Sequence, residues 1–446
     1  MPFGRKILYR DGEMNLKKTN LLKSLALALS ISLLAPLANK VTAETNNVPA
    51  PNITGQSALT MDLETGEVIY SKNADVKSSL ASTTKLLTAL LFAESKTKTD
   101  KIPFTASAAT QDGGVNLAKY KKINIGETLT ADDVMEALLI YSANDTAYMI
   151  ADSVSGNVES FVSLMNERVK KLGLTDTNFI NPNGLESLNP NKQVTDANYT
   201  TAYDLAVIAK EAFKNDWVRE TLAPKTPPAS INITGSPVPL ETRNKNLGID
   251  GNIGGKTGTE ELAGHCFVGY YEQDGRQLVT VVLGSEYGAD GMNVFHDTSA
   301  IAKYGYDAQK EIYKKSNEEV GTVDLKYKLF RFFGPSKTIT APIVLSQDVT
   351  YYKNDLNDKT ANISYKAEDK NAWQVTGGKE VPLTFTTIGH TEEVKVTLKV
   401  SAADLLKSNL TFYLAILLII VIITVLLLLI SRIINMRKTK RNRNRY

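Results

Sequence analysis

The sequence predicts a mixed α/β domain, followed by a small all-β domain and a C-terminal transmembrane helix. In the first domain, from about residue 50 to 315, runs typical of strands stand at both ends of a stretch with helical periodicity. From about 320 to 400 the apolar residues alternate or cluster in β-rich runs, and a long apolar run follows. Since alternation indicates strands and a period near 3.6 indicates helices, the change of pattern separates the two domains.

The first domain begins with strand signals and continues with helical ones. Ser57 to Met61 and Val68 to Ser71 are predicted as strands joined by a turn at Glu64-Thr65-Gly66. Helical periodicity predicts helices over residues 79–93, 130–140, 144–154, 158–172 and 201–213, the second of them capped by Thr130. Thr175 to Thr200 is rich in Asn, Pro and Gly and is predicted to be a long ordered loop.

Strand signals return at the end of the first domain. Cys266 to Tyr271 and Gln277 to Leu283 flank Asp274-Gly275, which is a strong hairpin signal. Asp297 to Lys314 is predicted to be an amphipathic helix. In the second domain, β-rich runs cover residues 338–345, 360–365 and 394–400.

The N-terminal residues resemble an export signal. Three lysines precede an apolar run from Leu25 to about Leu37, and Val41-Thr42-Ala43 offers small residues at the −3 and −1 cleavage positions. This pattern predicts a Sec-type signal peptide, residues 1–43, that is removed after Ala43. Translation from Met14 would leave the signal equally complete, and an uncleaved amphipathic helix is the alternative interpretation.

A second membrane signal lies near the C-terminus. Leu410 to Ile430 is apolar apart from two threonines. A helix of about 21 residues spans about 31 Å, which matches the hydrocarbon core of a bilayer. Seven basic residues and no acidic one follow in residues 431–446, so this tail is expected in the cytoplasm and the rest of the mature chain outside. A buried core helix is the alternative.

Composition excludes several classes of function. The formal net charge is +3 and much of the surplus lies in the tail, so no basic surface for nucleic acid is predicted. The chain has one cysteine and three scattered histidines, and it lacks CxxC, HExxH and glycine-rich phosphate motifs. The sequence therefore predicts no metal or nucleotide cofactor.

Three short motifs occur in order along the first domain. They are Ser82-Thr83-Thr84-Lys85, Ser142-Ala143-Asn144 and Lys256-Thr257-Gly258-Thr259. The first also occurs as Ser95-Lys96-Thr97-Lys98, but that copy lies in a charged, solvated run, whereas Ser82 and Lys85 are followed by apolar residues. The spacing and order of S-x-x-K, S-x-N and K-T-G-T indicate one catalytic site rather than chance.

The residue types explain the chemistry. Residues at i and i+3 share a helix face, so Lys85 is expected to reach the Ser82 hydroxyl and act as its base. A lysine that is partly buried beside another cation, here Lys256, loses proton affinity. We expect Ser142 to relay a proton and Asn144 to hold the substrate amide. The strand that carries Lys256, Thr257 and Thr259 is expected to pair with an extended peptide and to bind its terminal carboxylate. The backbone N–H groups of Ser82 and Thr259 are expected to form the oxyanion hole.

These motifs resemble the low-molecular-mass penicillin-binding proteins, specifically the serine-type D-alanyl-D-alanine carboxypeptidases. The resemblance extends over about residues 55 to 400 and includes three further stretches: residues 61–66, Asn181-Pro182-Asn183-Gly184-Leu185, and residues 200–205. It implies a β-lactamase/penicillin-binding transpeptidase-like fold. It also implies a peptidoglycan stem peptide ending in D-Ala-D-Ala as substrate, covalent binding of β-lactam antibiotics, and attachment to the cytoplasmic membrane. Asn183 and Tyr203 replace a histidine and an arginine that are frequent in the family, so no role is assigned to either.

Several neighbouring residues have a simpler interpretation. Asp145 is expected to stabilise a helix N-terminus, His265 to pack or form hydrogen bonds, and Cys266 to fill the core. Glu186 invites comparison with a deacylating glutamate, although its spacing to Asn189 differs from that pattern by one residue.

Alternatives to a carboxypeptidase remain open on the sequence. A β-lactamase or a transpeptidase would use the same acyl-enzyme, and a non-catalytic wall-associated scaffold would keep the fold without the chemistry. The second domain and the membrane helix disfavour a β-lactamase. The presence of both serines and both lysines disfavours an inert scaffold.

Overall fold

The computed structural model of the chain describes residues 48–225, 228–365 and 371–443. The predicted signal peptide lies outside the described residues, as do the last three residues of the tail. The fold class predicted from the sequence is confirmed: a mixed domain of strands and helices precedes a mainly β domain and a long apolar helix.

The core of the first domain is a five-stranded antiparallel sheet in the order β11-β12-β13-β1-β2. Ser57 at the start of β1 lies opposite Leu283 of β13, so the first strands of the domain complete a sheet begun by its last ones. The strands, including short ones outside this sheet, are β1 (Ser57–Asp62), β2 (Val68–Lys72), β3 (Ser78–Ser79), β4 (Lys101–Pro103), β5 (Thr128–Thr130), β6 (Ser187–Leu188), β7 (Val194–Asp196), β8 (Tyr199–Thr200), β9 (Ser230–Ile233), β10 (Ser236–Pro239), β11 (Asn252–Glu260), β12 (Gly264–Gln273) and β13 (Arg276–Ser285).

Helices cover both faces of the sheet. They are α1 (Lys85–Ser95), α2 (Ala106–Ala109), α3 (Leu117–Tyr120), α4 (Ala131–Glu136), α5 (Asn144–Ser155), α6 (Val158–Lys171), α7 (Ala202–Lys214), α8 (Asp216–Leu222) and α9 (Asn293–Asp307). α1 is apolar almost all round because it lies in the centre of the largest hydrophobic cluster, with Leu86, Leu87 and Phe92 fully buried. α9 packs on the other face of the sheet against Phe267 and Val282.

Two predicted details need correction. The helix predicted over Asp297 to Lys314 is α9, which begins at Asn293 and ends at Asp307. Residues Glu311–Lys314 instead form strand β14, because their backbone groups pair with a strand of the second domain. The helix predicted from Ser79 starts with a 3-10 turn over Ala81–Thr84, since Ala81 has a left-handed backbone with φ 46°.

The second domain contains a five-stranded antiparallel sheet in the order β15-β16-β20-β19-β18. Its strands are β15 (Glu319–Lys328), β16 (Ser336–Leu345), β17 (Val349–Tyr351), β18 (Asn362–Ser364), β19 (Glu380–Thr387) and β20 (His390–Leu398). Three short helices accompany them: α10 (Asp355–Thr360), α11 (Ala372–Val375) and α12 (Ala402–Lys407). Alternation along β15 buries Val323, Leu325 and Tyr327 in a core of its own.

The two domains meet at the β2 edge of the first sheet. The amide of Asn357 in α10 is buried and donates to the carbonyl of Val68 at 2.8 Å. Gly66, with φ 79°, lies so close to Gly389 that a Cβ there would stand 2.7 Å from its carbonyl oxygen. β11 forms the opposite edge of the sheet, so the second domain leaves that edge uncovered.

The last helix, α13 (Leu410–Arg443), is the one described helix that is long and apolar enough to cross a membrane. The mean hydropathy of its most apolar window is 3.5, and none of that window is buried against the rest of the chain. Isolated exposure of so many apolar side chains is unfavourable in water, so this helix is a candidate membrane span.

Candidate active site

Ser82 lies in the 3-10 turn that leads into α1, and Lys85 is the first residue of that helix. The Nζ of Lys85 is 2.8 Å from the Oγ of Ser82. Lys85 is fully buried, whereas Ser82 is half-buried. The structure therefore brings the first predicted pair into contact, with the hydroxyl on the more accessible side.

Lys85 also donates hydrogen bonds to two carbonyl oxygens. These are the Oδ1 of Asn144 and the backbone oxygen of Asn183, both at 2.7 Å. A neutral amine has two N–H donors and one lone pair, and the two carbonyls occupy the donors. The lone pair of the neutral amine is then directed at the Ser82 hydroxyl, which is the arrangement a general base requires.

Burial lowers the pKa of Lys85 to about 7, although the charges of Glu260 and Asp145 oppose the change. The main cause is thus desolvation and not the second cation that the sequence suggested. A substantial fraction of neutral amine is consequently present near neutral pH.

The second motif follows a single π-helical turn, Ala137–Tyr141. Ser142 ends this turn with a left-handed backbone, φ 67°, which is unusual for a residue with a side chain. Asn144 then begins α5, and its Nδ2 donates to the carbonyl of Gly113 at 3.0 Å, which orients its Oδ1 towards Lys85. Backbone strain at a functional site of this kind persists only when the surroundings hold it in place.

The third motif lies on the edge strand β11. The Nζ of Lys256 donates to the Oγ of Ser142 and to the carbonyl of Thr257, each at 2.8 Å. Burial, with the positive charges of Lys85 and Arg243, lowers the pKa of Lys256 well below its usual value. A Cβ on Gly258 would lie 3.0 Å from the backbone N of Ser82, so the strand and the first motif are in direct contact.

A cavity of about 320 Å³ opens beside the third motif. Thr257 and Thr259 line it together with Arg243, His265 and Tyr287. It is large enough for the end of a peptide, and hydroxyl and guanidinium groups in its wall suit a carboxylate.

Arg243 is a site residue that the sequence analysis missed. Its Nε donates to the carbonyl of Tyr141 at 3.2 Å, and its guanidinium lies over the Tyr141 ring, 5.6 Å from the centroid. No short motif marks it, because it reaches the cleft from the irregular segment before β11.

A loop around Gly113 is the second element that sequence analysis did not find. The carboxylate of Asp145 accepts hydrogen bonds from the backbone N–H groups of Leu117 and Ala118 at 3.0 and 2.9 Å. Asp145 therefore holds the start of α3, which directly follows this loop, against α5, in addition to its place in the first turn of α5. Since Gly113 accepts from Asn144, Asp145 acts on the site by positioning a neighbour.

The Asn181–Leu185 stretch packs directly on the nucleophile. Gly184 has φ 87°, and a Cβ there would lie 2.0 Å from the carbonyl oxygen of Ala81. This close approach brings the Asn183 carbonyl to Lys85. Only glycine fits, because both the backbone conformation and the space exclude a side chain.

Two glutamates lie near the end of β11. Glu186 accepts hydrogen bonds from the backbone N–H groups of Leu262 and Ala263 at 2.9 and 3.1 Å. Its carboxylate thus holds the turn between β11 and β12, which favours anchoring over a deacylating role. Burial and the charge of Glu186 raise the pKa of Glu260 to about 7, opposed by Lys85.

His265 and Cys266 pack as the sequence analysis expected. His265 stacks on Tyr287 with ring centroids 4.8 Å apart and meets Phe295 edge-on. Cys266 is fully buried, and burial raises the pKa of its thiol to about 12, so the reactive thiolate is suppressed.

A serine hydroxyl in contact with a buried lysine of lowered pKa is the arrangement expected of a serine hydrolase that forms an acyl intermediate. Comparison with known proteins identifies the group within that class. A sequence profile of the D-alanyl-D-alanine carboxypeptidases, peptidase family S11, matches residues 43–287. Since this is more than half of the chain, the chain belongs to that family, and the predicted resemblance to low-molecular-mass penicillin-binding proteins is confirmed.

Three individual proteins illustrate the similarity. The D-alanyl-D-alanine carboxypeptidase DacF of Bacillus subtilis is 28% identical over 320 residues, which cover 70% of this chain and 76% of that protein. DacC of Escherichia coli is 31% identical over 271 residues, or 58% of this chain and 63% of that protein. Penicillin-binding protein D2 of Listeria monocytogenes, solved in its ampicillin-bound form, superimposes with a TM-score of 0.50 at 27% identity and covers 58% of this chain and 100% of that one.

Proposed function

We propose that the chain is a serine-type D-alanyl-D-alanine carboxypeptidase that removes the terminal D-alanine from peptidoglycan stem pentapeptides. The observation that carries the proposal is the contact of 2.8 Å between Lys85 Nζ and Ser82 Oγ, with both N–H groups of a neutral Lys85 already bound to carbonyls. Family membership supports the same activity.

In the acylation step, the neutral amine of Lys85 takes the hydroxyl proton of Ser82. The Oγ attacks the carbonyl carbon of the penultimate D-alanine and forms a tetrahedral intermediate. The backbone N–H groups of Ser82 and Thr259 stabilise its oxyanion. The two N–H groups are close enough to share one oxyanion because β11, which carries Thr259, lies against the Ser82 backbone at Gly258.

Collapse of the intermediate breaks the C–N bond and leaves an ester on Ser82. The departing amine of D-alanine takes the proton that Lys85 received from Ser82, relayed through Ser142, whose Oγ is bonded to Lys256, so Lys85 is neutral again. Water then attacks the ester, its proton passes to Lys85, and the shortened peptide leaves as Ser82 regains its hydrogen. A β-lactam ring presents an equivalent amide carbonyl and acylates Ser82 in the same way.

The free carboxylate of the leaving D-alanine binds at the third motif. Thr257 and Thr259 line the adjoining cavity together with the positively charged Arg243, and a bound carboxylate favours the charged form of neighbouring Lys256, which burial otherwise disfavours. Asn144, held between Lys85 and Gly113, binds the amide of the extended donor peptide, which adds to the open edge of β11.

The peptide substrate exists outside the cytoplasmic membrane, so the enzyme acts there. The signal peptide exports the chain, α13 spans the membrane once, and the basic residues after Ser431 remain in the cytoplasm. The second domain lies between the catalytic domain and the span in the chain.

Incubation of the full chain in detergent with a peptide ending in D-Ala-D-Ala tests the activity. We expect release of D-alanine and none from the same peptide ending in L-alanine. The Ser82→Ala variant is the matched control and should release nothing. Labelling by a fluorescent penicillin without any release of D-alanine from the peptide would refute a carboxypeptidase and favour another acyl-transfer reaction.

A further inference from the structure

The hairpin between β15 and β16 presents two phenylalanines to solvent. Phe332 is 82% exposed and Phe333 is 66% exposed. The turn is nevertheless ordered: the N–H of Phe330 donates to the carbonyl of Phe333 at 3.1 Å, and their rings stack with centroids 5.1 Å apart. Adjacent exposed aromatic rings on an ordered turn are typical of an interaction surface rather than of an ordinary loop.

This hairpin tip, Leu329–Pro335, is fixed to the first turn of α13. The hydroxyl of Tyr413 donates to the carbonyl of Leu329 at 2.6 Å, and the Tyr413 ring meets the Phe330 ring edge-on at 5.7 Å. One turn earlier, the amide of Asn409 donates to the hydroxyl of Tyr327. The tip therefore lies beside the start of the apolar helix, at the level where that helix enters a bilayer.

The charged side chains around the hairpin tip are all positive. From Lys326 to Thr338 the chain has four basic side chains and no acidic one. They are Lys326, Lys328, Arg331 and Lys337, and all four residues are exposed. The guanidinium of Arg331 lies 5.3 Å from the centre of the Phe332 ring. Aromatic side chains are favoured at the boundary between lipid headgroups and hydrocarbon, and Lys and Arg side chains attract anionic headgroups. A turn that carries both residue types is therefore suited to the membrane interface.

We infer that the hairpin tip inserts Phe332 and Phe333 into the headgroup region of the bilayer that α13 crosses, with its basic residues on anionic lipid headgroups. The inference rests on the proposed membrane anchor and adds a second point of membrane contact. Two contacts restrict the tilt of the second domain more than a single helix does. The second domain then holds the Ser82 cleft at a fixed height and orientation above the membrane.

Site-directed fluorescence tests this contact in the full chain. The native Cys266 is buried, so single cysteines placed by Phe332→Cys, Phe333→Cys, Leu418→Cys and Ile125→Cys react selectively with an environment-sensitive dye. The chains are reconstituted in vesicles of phosphatidylethanolamine and phosphatidylglycerol. Ile125 is a matched control because it is 64% exposed and lies in the catalytic domain. Acylation by penicillin confirms that each variant is folded.

We expect the dyes at 332 and 333 to shift to shorter wavelength and to be quenched by lipids that carry a quencher near the headgroup. The dye at 418 should be quenched by lipids with a deep quencher, and the dye at 125 by neither. Water-like emission at 332 and 333 with deep quenching at 418 would overturn the inference while leaving the anchor intact. Absence of quenching at 418 would refute the anchor, and the hairpin contact with it.

Discussion

Lys256 Nζ lies 2.8 Å from the Oγ of Ser142, the same separation that joins Lys85 to Ser82. The cleft thus contains two serine–lysine pairs, one where the 3-10 turn leads into α1 and one that joins β11 to the end of the π-helical turn. Both lysines are buried and both have a lowered pKa. Two buried amines of lowered pKa, each bonded to a serine hydroxyl, suit a reaction that must first remove a proton from a hydroxyl and then deliver one to an amine.

The first prediction concerns the nucleophile. Ser82→Ala should abolish covalent labelling by a fluorescent penicillin, because Ser82 supplies the oxygen of the acyl bond. Ser95→Ala is a matched control, since Ser95 and Lys98 repeat the same motif spacing where α1 ends and a charged segment follows it. It should label like the parent chain. Gel fluorescence and peptide mass spectrometry measure the adduct, and persistent labelling of Ser82→Ala would remove Ser82 from its proposed role.

The second prediction concerns pH. Acylation requires neutral Lys85, and its pKa is lowered to about 7 by burial. The acylation rate should therefore rise with pH, by about tenfold per unit well below 7, and level off above it. Stopped-flow acylation by a fluorescent penicillin between pH 5 and 9 measures the profile. A rate that continues to rise up to pH 9 would indicate an ordinary, solvated lysine.

Glu260 should tune that profile. Its negative charge favours protonated Lys85 and so raises the lysine pKa. The pKa of Glu260 is itself raised to about 7, so its charge is present only near and above neutral pH. Glu260→Gln should therefore leave the rate well below pH 7 unchanged and let the acylation rate reach its plateau at lower pH. Glu261→Gln is the control, because the neighbouring Glu261 is exposed. Equal profiles for both variants and the parent would show that Glu260 does not act on Lys85.

A fourth prediction addresses carboxylate recognition. Lys256→Ala should reduce hydrolysis of a peptide with a free C-terminal carboxylate far more than hydrolysis of the same peptide with an amidated C-terminus. Only the first peptide carries the negative charge that Lys256 attracts. Lys245→Ala is the control, since Lys245 also lines the cavity but is exposed and pairs with Glu241. Circular dichroism checks the fold. Equal losses on both substrates would point to a role for Lys256 in proton transfer alone.

The packing of the Asn181–Leu185 stretch gives a fifth prediction. Gly184→Ala should lower both the unfolding temperature and the acylation rate, because the new Cβ would overlap the Ala81 carbonyl beside the nucleophile. Gly235→Ala isolates backbone strain: its φ is 78°, and of the described residues none has an atom within 4 Å of the added Cβ. It should cost only about 1 kcal/mol of stability. Similar effects of the two substitutions would mean that the loop moves aside without consequence.

The sequence predicted the local parts of this site well and the long-range parts poorly. Ser82 and Lys85 follow from spacing on one helix, which any sequence displays directly. The contact of Lys85 with the Asn183 carbonyl depends on Gly184, which is far along the chain and has φ 87°, and no periodic pattern records such an approach. The roles of Arg243 and of the loop held by Asp145 were missed for the same reason.

Element boundaries failed where tertiary pairing competed with local pattern. Residues 311–314 continue the apolar spacing of α9, yet they form β14 because Glu311 and Ile312 pair with β17. The pattern alone is compatible with both conformations, and the nearby partner strand decides between them. By contrast, Asp274 and Gly275, with φ of 52° and 80°, form the hairpin turn that the sequence predicted, because that turn demands those residue types.

The last prediction concerns membrane topology. In bacterial cells from which the wall has been removed, added protease should digest the catalytic domain but spare a tag fused after Tyr446. The basic residues after Ser431 favour retention of the tail in the cytoplasm. Lysed cells are the control and should lose the tag. Alkaline carbonate should leave the protein in the membrane, because the exposed apolar surface of α13 has no polar face to lie on the bilayer surface. Release by carbonate, or digestion of the tag in intact cells, would exclude a single span with a cytoplasmic C-terminus.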